Sequence, residues 1–396
     1  MPRIPRGVWV LGFVSMLMDT SSELVHSLLP VFMVSTLGAS DTAVGLVEGV
    51  AESTALIVKV FSGTLSDYFG RRKELAVLGY GLGALSKPLF ALAGTVNAVF
   101  AARFIDRIGK GMRGAPRDAL VADLTPPSIR GAAYGLRQSL DTVGAFLGPL
   151  LAMVLMLVWS GSYRAVFWFA VIPGALAVLL LVAGVREPEA SKAPGQARTP
   201  ISWTMLKELG RAYWWVVAIG AVFTLARFSE AFLILRARQQ GLPDGLTPSV
   251  FVLMNIVYAL SAYPAGQLAD HIDRRLLLAC GLIVLLAADL ALAHGGGLIV
   301  VALGVALWGL HMGLTQGLFA TMVAAAAPAS LRGTAFGFFN LASGGAMLAA
   351  SVLAGLLLDK LGPSATFYAG AIFSAIALIL LMLLHNAHLD TEPARD

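Results

Sequence analysis

The chain has 396 residues, of which 58% are hydrophobic and 13% are charged. Soluble domains carry roughly 45–50% apolar and about 25% charged residues, and the mean hydropathy here is +0.79. This composition excludes a soluble enzyme and an intrinsically disordered chain. The apolar residues form long unbroken runs, which favour membrane-spanning helices over the strands of an outer-membrane barrel.

Twelve segments are long and apolar enough to be transmembrane helices, which need about 20 mostly apolar residues. The sequence therefore predicts an all-α membrane protein, and its fourth helix is the most highly charged. The first helix follows Arg3 and Arg6 in the manner of a signal peptide, but Asp19 and Glu23 interrupt it, so we interpret it as retained. The predicted helices cover residues 7–36, 42–65, 74–95, 97–118, 130–158, 163–185, 211–237, 247–268, 276–294, 297–325, 333–358 and 363–385.

One long polar segment divides the predicted helices into two groups of six. We expect an N-terminal six-helix bundle over 1–185, a linker over 186–210 and a C-terminal six-helix bundle over 211–396. Fifteen Lys and Arg residues lie in the termini, linker and loops of one side, and four lie on the other side. This bias predicts that both termini and the linker are cytoplasmic. It also accounts for the net charge of +5, so we expect no nucleic-acid partner.

Two sequence blocks occur twice in the chain. The segment GTLSDYFGRRKEL at 63–75 returns as GQLADHIDRRLLL at 266–278, an offset of 203 residues. The segment VADLTPPSIRGAAYG at 121–135 returns as VAAAAPASLRGTAFG at 323–337, an offset of 202 residues. Two blocks at nearly one offset indicate a duplicated six-helix unit, a plan that secondary transporters use.

These blocks resemble signatures of the major facilitator superfamily. Residues 63–73 match its GxLSDxxGRR(K) pattern at every position, and the second copy has Asp273 where the family has glycine. Residues 103–111 are similar to its helix-4 pattern, with Arg107 in place of a small residue. Residues 144–153 are similar to its antiporter pattern GxxxGPxxGG, without the last two glycines.

The resemblance implies a fold of twelve transmembrane helices in two six-helix repeats that transport by alternating access. It also implies that the residues of the repeated signature act in gating. These residues are Gly63, Asp67, Gly70, Arg71, Arg72, Asp270 and Arg274.

Ionisable residues inside the predicted helices are functional candidates, because a charge at a helix centre costs about 2.5–3.5 kcal/mol on insertion. Most of them lie in the first half, and the helical period places them on one face of each helix. The spacing predicts an ion pair between Arg137 and Asp141. The proton-coupling candidates, in order of preference, are Glu23, Asp19, Glu52 and Glu48. The candidates for substrate contact or counter-charge are Arg103, Arg107, Arg137, Asp141, Arg227 and Glu230.

Other polar residues have simpler interpretations. We expect Lys87 to extend towards the membrane surface, Asp289 to be a solvated helix end, and His311 to pack in the interior. The sequence contains no P-loop, HExxH or nucleophile elbow, and Cys280 is its only cysteine. We therefore expect no enzymatic activity, no cofactor and no metal site.

The sequence predicts a proton-coupled secondary transporter of a small molecule, acting as a monomer in the lipid bilayer of a bacterial inner membrane. Residues 144–149 favour export by antiport, and the alternative is uptake of a charged metabolite or metal chelate. A sensor on the same fold would need a soluble effector domain, for which the tails and linker are too short. The cations of helix 4 indicate an anionic or zwitterionic substrate, unless the acids of the first half balance them internally.

Overall fold

The computed structural model describes residues 4–69, 71–186, 208–269, 271–315, 317–328 and 331–385. Within these ranges, the side chains of residues 64, 67–69, 127, 333 and 384–385 are not described. The secondary structure of the described residues is entirely helical. Its long segments are α1 Arg6–Thr36, α2 Asp41–Phe69, α3 Arg72–Leu92, α4 Val96–Leu124, α5 Arg130–Val158, α6 Tyr163–Gly184, α7 Arg211–Gln239, α8 Asp244–Ala269, α9 Arg274–His294, α10 Leu298–Ala326, α11 Arg332–Leu361 and α12 Pro363–His385.

These segments are consistent with the twelve predicted helices. Among the described residues, ten are long and apolar enough to cross a membrane. The two others, α2 and α4, are also long, at 29 residues each, but they carry many charged side chains. The fourth helix ends at Leu124, six residues after its predicted end.

Three of the segments are interrupted. In α1, the regular helix ends at His26, and the last turn is π-helical over Phe32–Thr36. In α7, residues 227–230 separate the helix Arg211–Ala226 from the helix Ala231–Gln239. In α10, Gly317 has a φ of +73°, which a side chain would disfavour. Interrupted transmembrane helices leave backbone groups free to line a cavity.

The helices pack in the same pairs in both halves of the chain. In the first half, α1 packs on α5 and α6, α2 on α4, and α3 on α4 and α6. In the second half, α7 packs on α11 and α12, α8 on α10, and α9 on α10 and α12. The two halves contact each other chiefly through α2 with α11 and α5 with α8.

The apolar core shows on which side the halves meet. We call the side where α1 begins and α6 ends the terminal side, and the side of residues 37–40, 93–95, 159–162 and 295–297 the far side. One core cluster towards the far side contains buried residues of both halves, including Phe32 and Phe232. Towards the terminal side, each half has a separate core, around Tyr80 and around Tyr213. The structure is therefore closed on the far side and open on the terminal side.

Gly45 marks a close approach of α2 to α11, since a Cβ there would lie 2.2 Å from the Ser351 carbonyl oxygen. Gly45→Ala should separate the helices and lower the free energy of unfolding by roughly 1–3 kcal/mol. Gly81→Ala in α3 is the matched control, because a Cβ at Gly81 meets no atom within 4 Å. Thermal melts of the purified proteins check this, and equal melting temperatures for both variants would contradict it.

Candidate functional site

Charged side chains of four helices meet inside the first half, in a group that we call the inner cluster. Arg103 of α4 lies 2.7 Å from the Glu48 carboxylate of α2 and 3.7 Å from Glu52. Arg107, one turn further along α4, lies 3.1 Å from Glu52 and 3.6 Å from Asp106. The members of the inner cluster are Glu23, His26, Glu48, Glu52, Lys87, Arg103, Asp106 and Arg107.

His26 joins two carboxylates of the inner cluster. Its Nδ1 lies 3.2 Å from Glu23 Oε2, and its Nε2 lies 3.3 Å from Glu48 Oε2. A neutral imidazole carries one N–H, whereas an imidazolium carries two. The Nδ1 contact with Glu23 is a hydrogen bond, whereas the Nε2 contact with Glu48 lacks hydrogen-bond geometry and is favourable as an ion pair only when His26 is protonated. His26 was not among the predicted site residues, although it follows Glu23 by about one helical turn.

The position of Lys87 contradicts the prediction that its side chain extends towards the membrane surface. Its side chain is buried, and its ammonium group lies 2.6 Å from Asp106 and 3.0 Å from the Ser22 hydroxyl. The charge does not extend to the membrane surface because Asp106, on the facing side of α4, offers a stronger partner. Ser86 also donates to Asp106 at 3.2 Å, so this carboxylate is held by two residues of α3.

A second group of charges, the cavity cluster, lies nearer the terminal side. Arg113 of α4 is 3.3 Å from Asp19 of α1. The predicted ion pair of Arg137 with Asp141 is present, and Arg117 joins it, with its guanidinium 3.7 Å from Asp141. The members of the cavity cluster are Asp19, Arg113, Arg117, Asp118, Arg137 and Asp141.

A cavity of about 260 Å³ opens between α1, α2, α4 and α5. Four carboxylates and four cations of the described residues line it: Asp19, Glu52, Asp118, Asp141, Lys59, Lys110, Arg113 and Arg117. Glu52 is 29% exposed and belongs to the inner cluster as well. The cavity therefore connects the buried inner cluster with the space on the terminal side.

The second half contributes fewer charges to this region. Arg227 and Glu230 lie in the interrupted part of α7, 3.8 Å apart and partly exposed. Phe251 of α8 packs edge-on against the His26 ring, with a centroid distance of 5.2 Å. An apolar contact between the halves thus covers one member of the inner cluster.

Glycines of α5 set its distance from α1. A Cβ at Gly144 would lie 2.5 Å from the Met16 carbonyl oxygen, and a Cβ at Gly148 would lie 2.8 Å from the Cβ of Glu23. The residues that resemble the antiporter signature therefore allow α5 to pack directly against the helix that carries Asp19 and Glu23.

The far side is closed by a helix cap that joins the halves. The Asp359 carboxylate of α11 accepts hydrogen bonds from the backbone N–H groups of Asp41 at 3.0 Å and Thr42 at 2.8 Å, and from the Thr42 hydroxyl. Asp244 of the second half accepts a hydrogen bond from Ser35 at 2.9 Å and from Tyr163 at 3.1 Å. These contacts must break before the far side opens.

Asp359→Ala should favour opening of the far side, because losing a helix cap costs about 1 kcal/mol, or roughly a fivefold change in population. Pulsed electron–electron distance measurements between spin labels at Thr36→Cys and Gln239→Cys, in a Cys280→Ser background, report the opening. Lys360→Ala is the control, since it leaves the cap intact. Unchanged distance distributions in Asp359→Ala would show that the cap does not hold the halves together.

The expected gating residues are only partly described. Arg71 lies 3.2 Å from Glu74 and is exposed, and Arg72 pairs with Asp123 at the end of α4. Arg274 is exposed at the start of α9. A Cβ at Gly63 would make an ordinary contact of 3.5 Å with Ala115. Gly70, Asp270 and the side chain of Asp67 lie outside the described residues, as does most of the linker.

Two six-helix halves with the same helix pairing, and a charged cavity in the first of them, follow the plan of a secondary transporter. Residues 9–350 match the Major Facilitator Superfamily, and the chain belongs to this family. It is a multi-pass membrane transporter and not an enzyme.

Relatives support this assignment at three levels. The chain is 31% identical over 387 residues to an uncharacterised MFS-type transporter of Methanocaldococcus jannaschii, covering 96% of this chain and 95% of the relative. It is 27% identical over 202 residues to the quinolone resistance protein NorA of Staphylococcus aureus, covering about half of each chain. A POT family transporter solved with 5-aminolevulinic acid has the same fold, with a TM-score of 0.81, 13% identity and 96% coverage of both chains.

Proposed function

We propose that this protein is a proton-coupled secondary transporter that exports a small molecule by antiport. The charge balance of the inner cluster carries the proposal. The cluster contains four carboxylates, on Glu23, Glu48, Glu52 and Asp106, and three permanent cations, on Lys87, Arg103 and Arg107. Because uncompensated charge is costly away from water, one further proton is needed to neutralise the cluster.

His26 and Glu23 are the residues on which we place this proton. His26 is the titratable member that faces two carboxylates, Glu23 and Glu48. Glu23 is 20% exposed, whereas Glu48 is 1% exposed. Glu23 is therefore the member of this trio that water reaches, and a proton on His26 can leave through it. Glu48, fixed between His26 and Arg103, acts mainly in structure.

The contact between Phe251 and His26 links this proton to the conformational change. In the present conformation, Phe251 of the second half covers the imidazole ring. Rocking of the halves on the helix pairs α2–α11 and α5–α8 moves Phe251 away from α1. The surroundings of the proton on His26 then differ between the conformation that is open on the terminal side and the one that is open on the far side. Coupling requires such a difference between the two states. The rocking units are residues 1–185 and 211–396, joined by the linker 186–210.

Asp19 and Glu52 are alternative proton carriers, since both line the cavity and are partly exposed. Each, however, has an arginine partner, since Asp19 lies 3.3 Å from Arg113 and Glu52 lies 3.1 Å from Arg107. Among the described residues, Glu23 has no arginine or lysine within 4.0 Å. The remaining candidates act as counter-charges: Arg103 and Arg107 in the inner cluster, Arg137 and Asp141 in the cavity cluster, and Arg227 and Glu230 in the interrupted part of α7.

The cavity favours an anionic or zwitterionic substrate. Lys59 and Lys110 line it, both are exposed, and among the described residues neither has a carboxylate within 4.0 Å. The arginines of the cavity, in contrast, are paired. A carboxylate or phosphate group of the substrate would therefore find two ammonium groups available on α2 and α4.

Export is supported by two features. The contact of Gly144 and Gly148 with α1 belongs to a segment that resembles the antiporter signature. NorA, to which about half of the chain is similar, is named for quinolone resistance. We place the terminal side, where positive residues are concentrated, in the cytoplasm of a bacterial cell. The observed conformation would then be open to the cytoplasm, as an exporter must be when it binds its substrate.

The orientation is tested by labelling intact cells with an impermeant thiol reagent in a Cys280→Ser background. A cysteine at Gln239, on the far side, should react from outside the cell. A cysteine at Arg71, on the terminal side, should react only after the cells are opened. Labelling of both positions from outside would contradict the proposed arrangement of termini and loops.

The transport function is tested with purified protein in proteoliposomes. A thermal-shift screen of quinolones, small organic acids and metal salts first selects a probe by its stabilisation of the protein. A pH gradient should then drive accumulation of the probe against its own gradient, and a protonophore should abolish it. Stabilisation by a probe whose flux ignores the pH gradient would overturn the proposal of proton coupling.

A further inference from the structure

One titratable residue of the second half lies outside both clusters. Asp289 of α9 is 0% exposed, and neither carboxylate oxygen has a hydrogen-bond partner among the described residues. This contradicts the expectation of a solvated helix end. The reason is the neighbouring helix α12, where Gly370 lacks a side chain. A Cβ at Gly370 would lie 2.7 Å from Asp289 Oδ2, so the glycine admits the carboxylate into the helix interface.

The groups that face Asp289 offer it no counter-charge. On α10, His311 is bonded through Nδ1 to the Gly281 carbonyl oxygen, two turns away along α9. On α7, Arg236 donates to the carbonyl oxygens of Leu292 and Ala293, and Arg227 pairs with Glu230. On α12, Tyr368 is half-exposed. Among the described residues, no cation lies within 4.0 Å of Asp289.

The residue that covers Asp289, Phe228, lies in a part of α7 that must move when the far side opens. Phe228, in the interrupted turn of α7, has its Cε1 3.0 Å from the Cβ position of Gly370. Its ring packs on Trp308 and Phe367 at centroid distances of 5.5 and 5.6 Å. The helix Ala231–Gln239 follows directly and contacts the end of α1 on the far side. Opening of the far side displaces this helix and, with it, Phe228.

We propose that Asp289 is a proton-binding site that is loaded from the far side and must be neutral before the far side can close. This extends the proposed function, since the proton on Asp289 controls the conformational equilibrium and is separate from the proton of the inner cluster. When the far side opens, water reaches the carboxyl group, its O–H bond breaks and the proton passes to that water. Closure reverses the step, because burying an unpaired carboxylate in an apolar interface is costly.

The sign of the resulting pH dependence follows from proton counting. The closed state holds one more proton than the open state at Asp289, so raising the pH favours the state that is open on the far side. A proton concentration that is high on the far side favours closure. The site would therefore favour the return to the terminal side more strongly when the proton concentration on the far side is higher.

Infrared difference spectroscopy of the purified protein in lipid tests the protonation state. Near neutral pH, the wild type should show a carboxylic-acid C=O band that shifts with isotope-labelled aspartate and disappears in Asp289→Asn. Asp273→Asn is the control, because Asp273 is exposed at the N-cap of the same helix and its replacement should leave the band unchanged. A band that persists in Asp289→Asn, or a wild type without an aspartic-acid band, would overturn the proposal.

Spin labels at Thr36→Cys and Gln239→Cys test the conformational role without a substrate. In a Cys280→Ser background, the fraction of molecules open on the far side should rise with pH. In Asp289→Asn, the number of protons released on opening, calculated from this pH dependence, should be lower by about one. An unchanged pH dependence in Asp289→Asn would overturn the regulatory role. Neither measurement requires transport. Their results therefore test the role of Asp289 even if proton-coupled flux is not observed in proteoliposomes.

Discussion

Glu23→Gln should abolish accumulation of the probe driven by a pH gradient, while probe exchange across the membrane continues. The change leaves three carboxylates and three permanent cations in the inner cluster, which is then neutral without a proton on His26. Exchange requires no net proton movement and should stay within a few-fold of wild type. The comparison of both activities in the same proteoliposomes checks this.

The control for Glu23→Gln is Glu74→Gln, which removes an exposed carboxylate near the terminal side. It should leave accumulation unchanged. If Glu23→Gln accumulates the probe as well as this control, the proton is carried by another residue. Asp19→Asn and Glu52→Gln then become the variants to measure.

Arg103→Met should lower the free energy of unfolding by roughly 3–5 kcal/mol, because removing one partner of a buried ion pair leaves the other charge uncompensated. The stranded group is Glu48, which is 1% exposed and lies 2.7 Å from the Arg103 guanidinium. We expect a low yield of folded protein and an early melting transition in detergent.

The double variant Arg103→Met with Glu48→Gln separates charge from packing. It removes both members of the pair, so most of the lost stability should return. Size-exclusion profiles and thermal melts of the two variants provide the measurement. A double variant as unstable as the single one would show that Arg103 supports the fold through its other contacts, with Glu52 at 3.7 Å and Asp106 at 3.9 Å.

The helices could be predicted from the sequence because spanning a bilayer demands long apolar segments, and the long helical segments of the described residues are consistent with that prediction. The family could be recognised because each duplicated signature block lies within one short segment of the sequence. Even the ion pair of Arg137 with Asp141 was predictable, because both lie on one helix at a fixed spacing. Features set within one helix can be derived from its periodicity.

Contacts between helices could not be derived in this way. Lys87 and Asp106 lie on different helices, and no spacing rule brings them together. The position of His26 between Glu23 and Glu48 depends on how α1 and α2 are placed by the helices that pack on them. The position of Asp289 in the chain predicted a solvated helix end, but its carboxylate is buried against Gly370 of α12, which has no side chain. In each case the deciding neighbour belongs to another segment.

The central claim is that a proton moves against the substrate through the inner cluster. Proteoliposomes loaded with the probe and a trapped pH-sensitive dye, without an imposed pH gradient, test it most directly. As the probe leaves, the wild type should acidify the vesicle lumen, because antiport brings protons in, and Glu23→Gln should not. Alkalinisation would indicate symport, and hence uptake in the cell. Exit of the probe from wild-type vesicles with no change in pH would contradict proton coupling altogether.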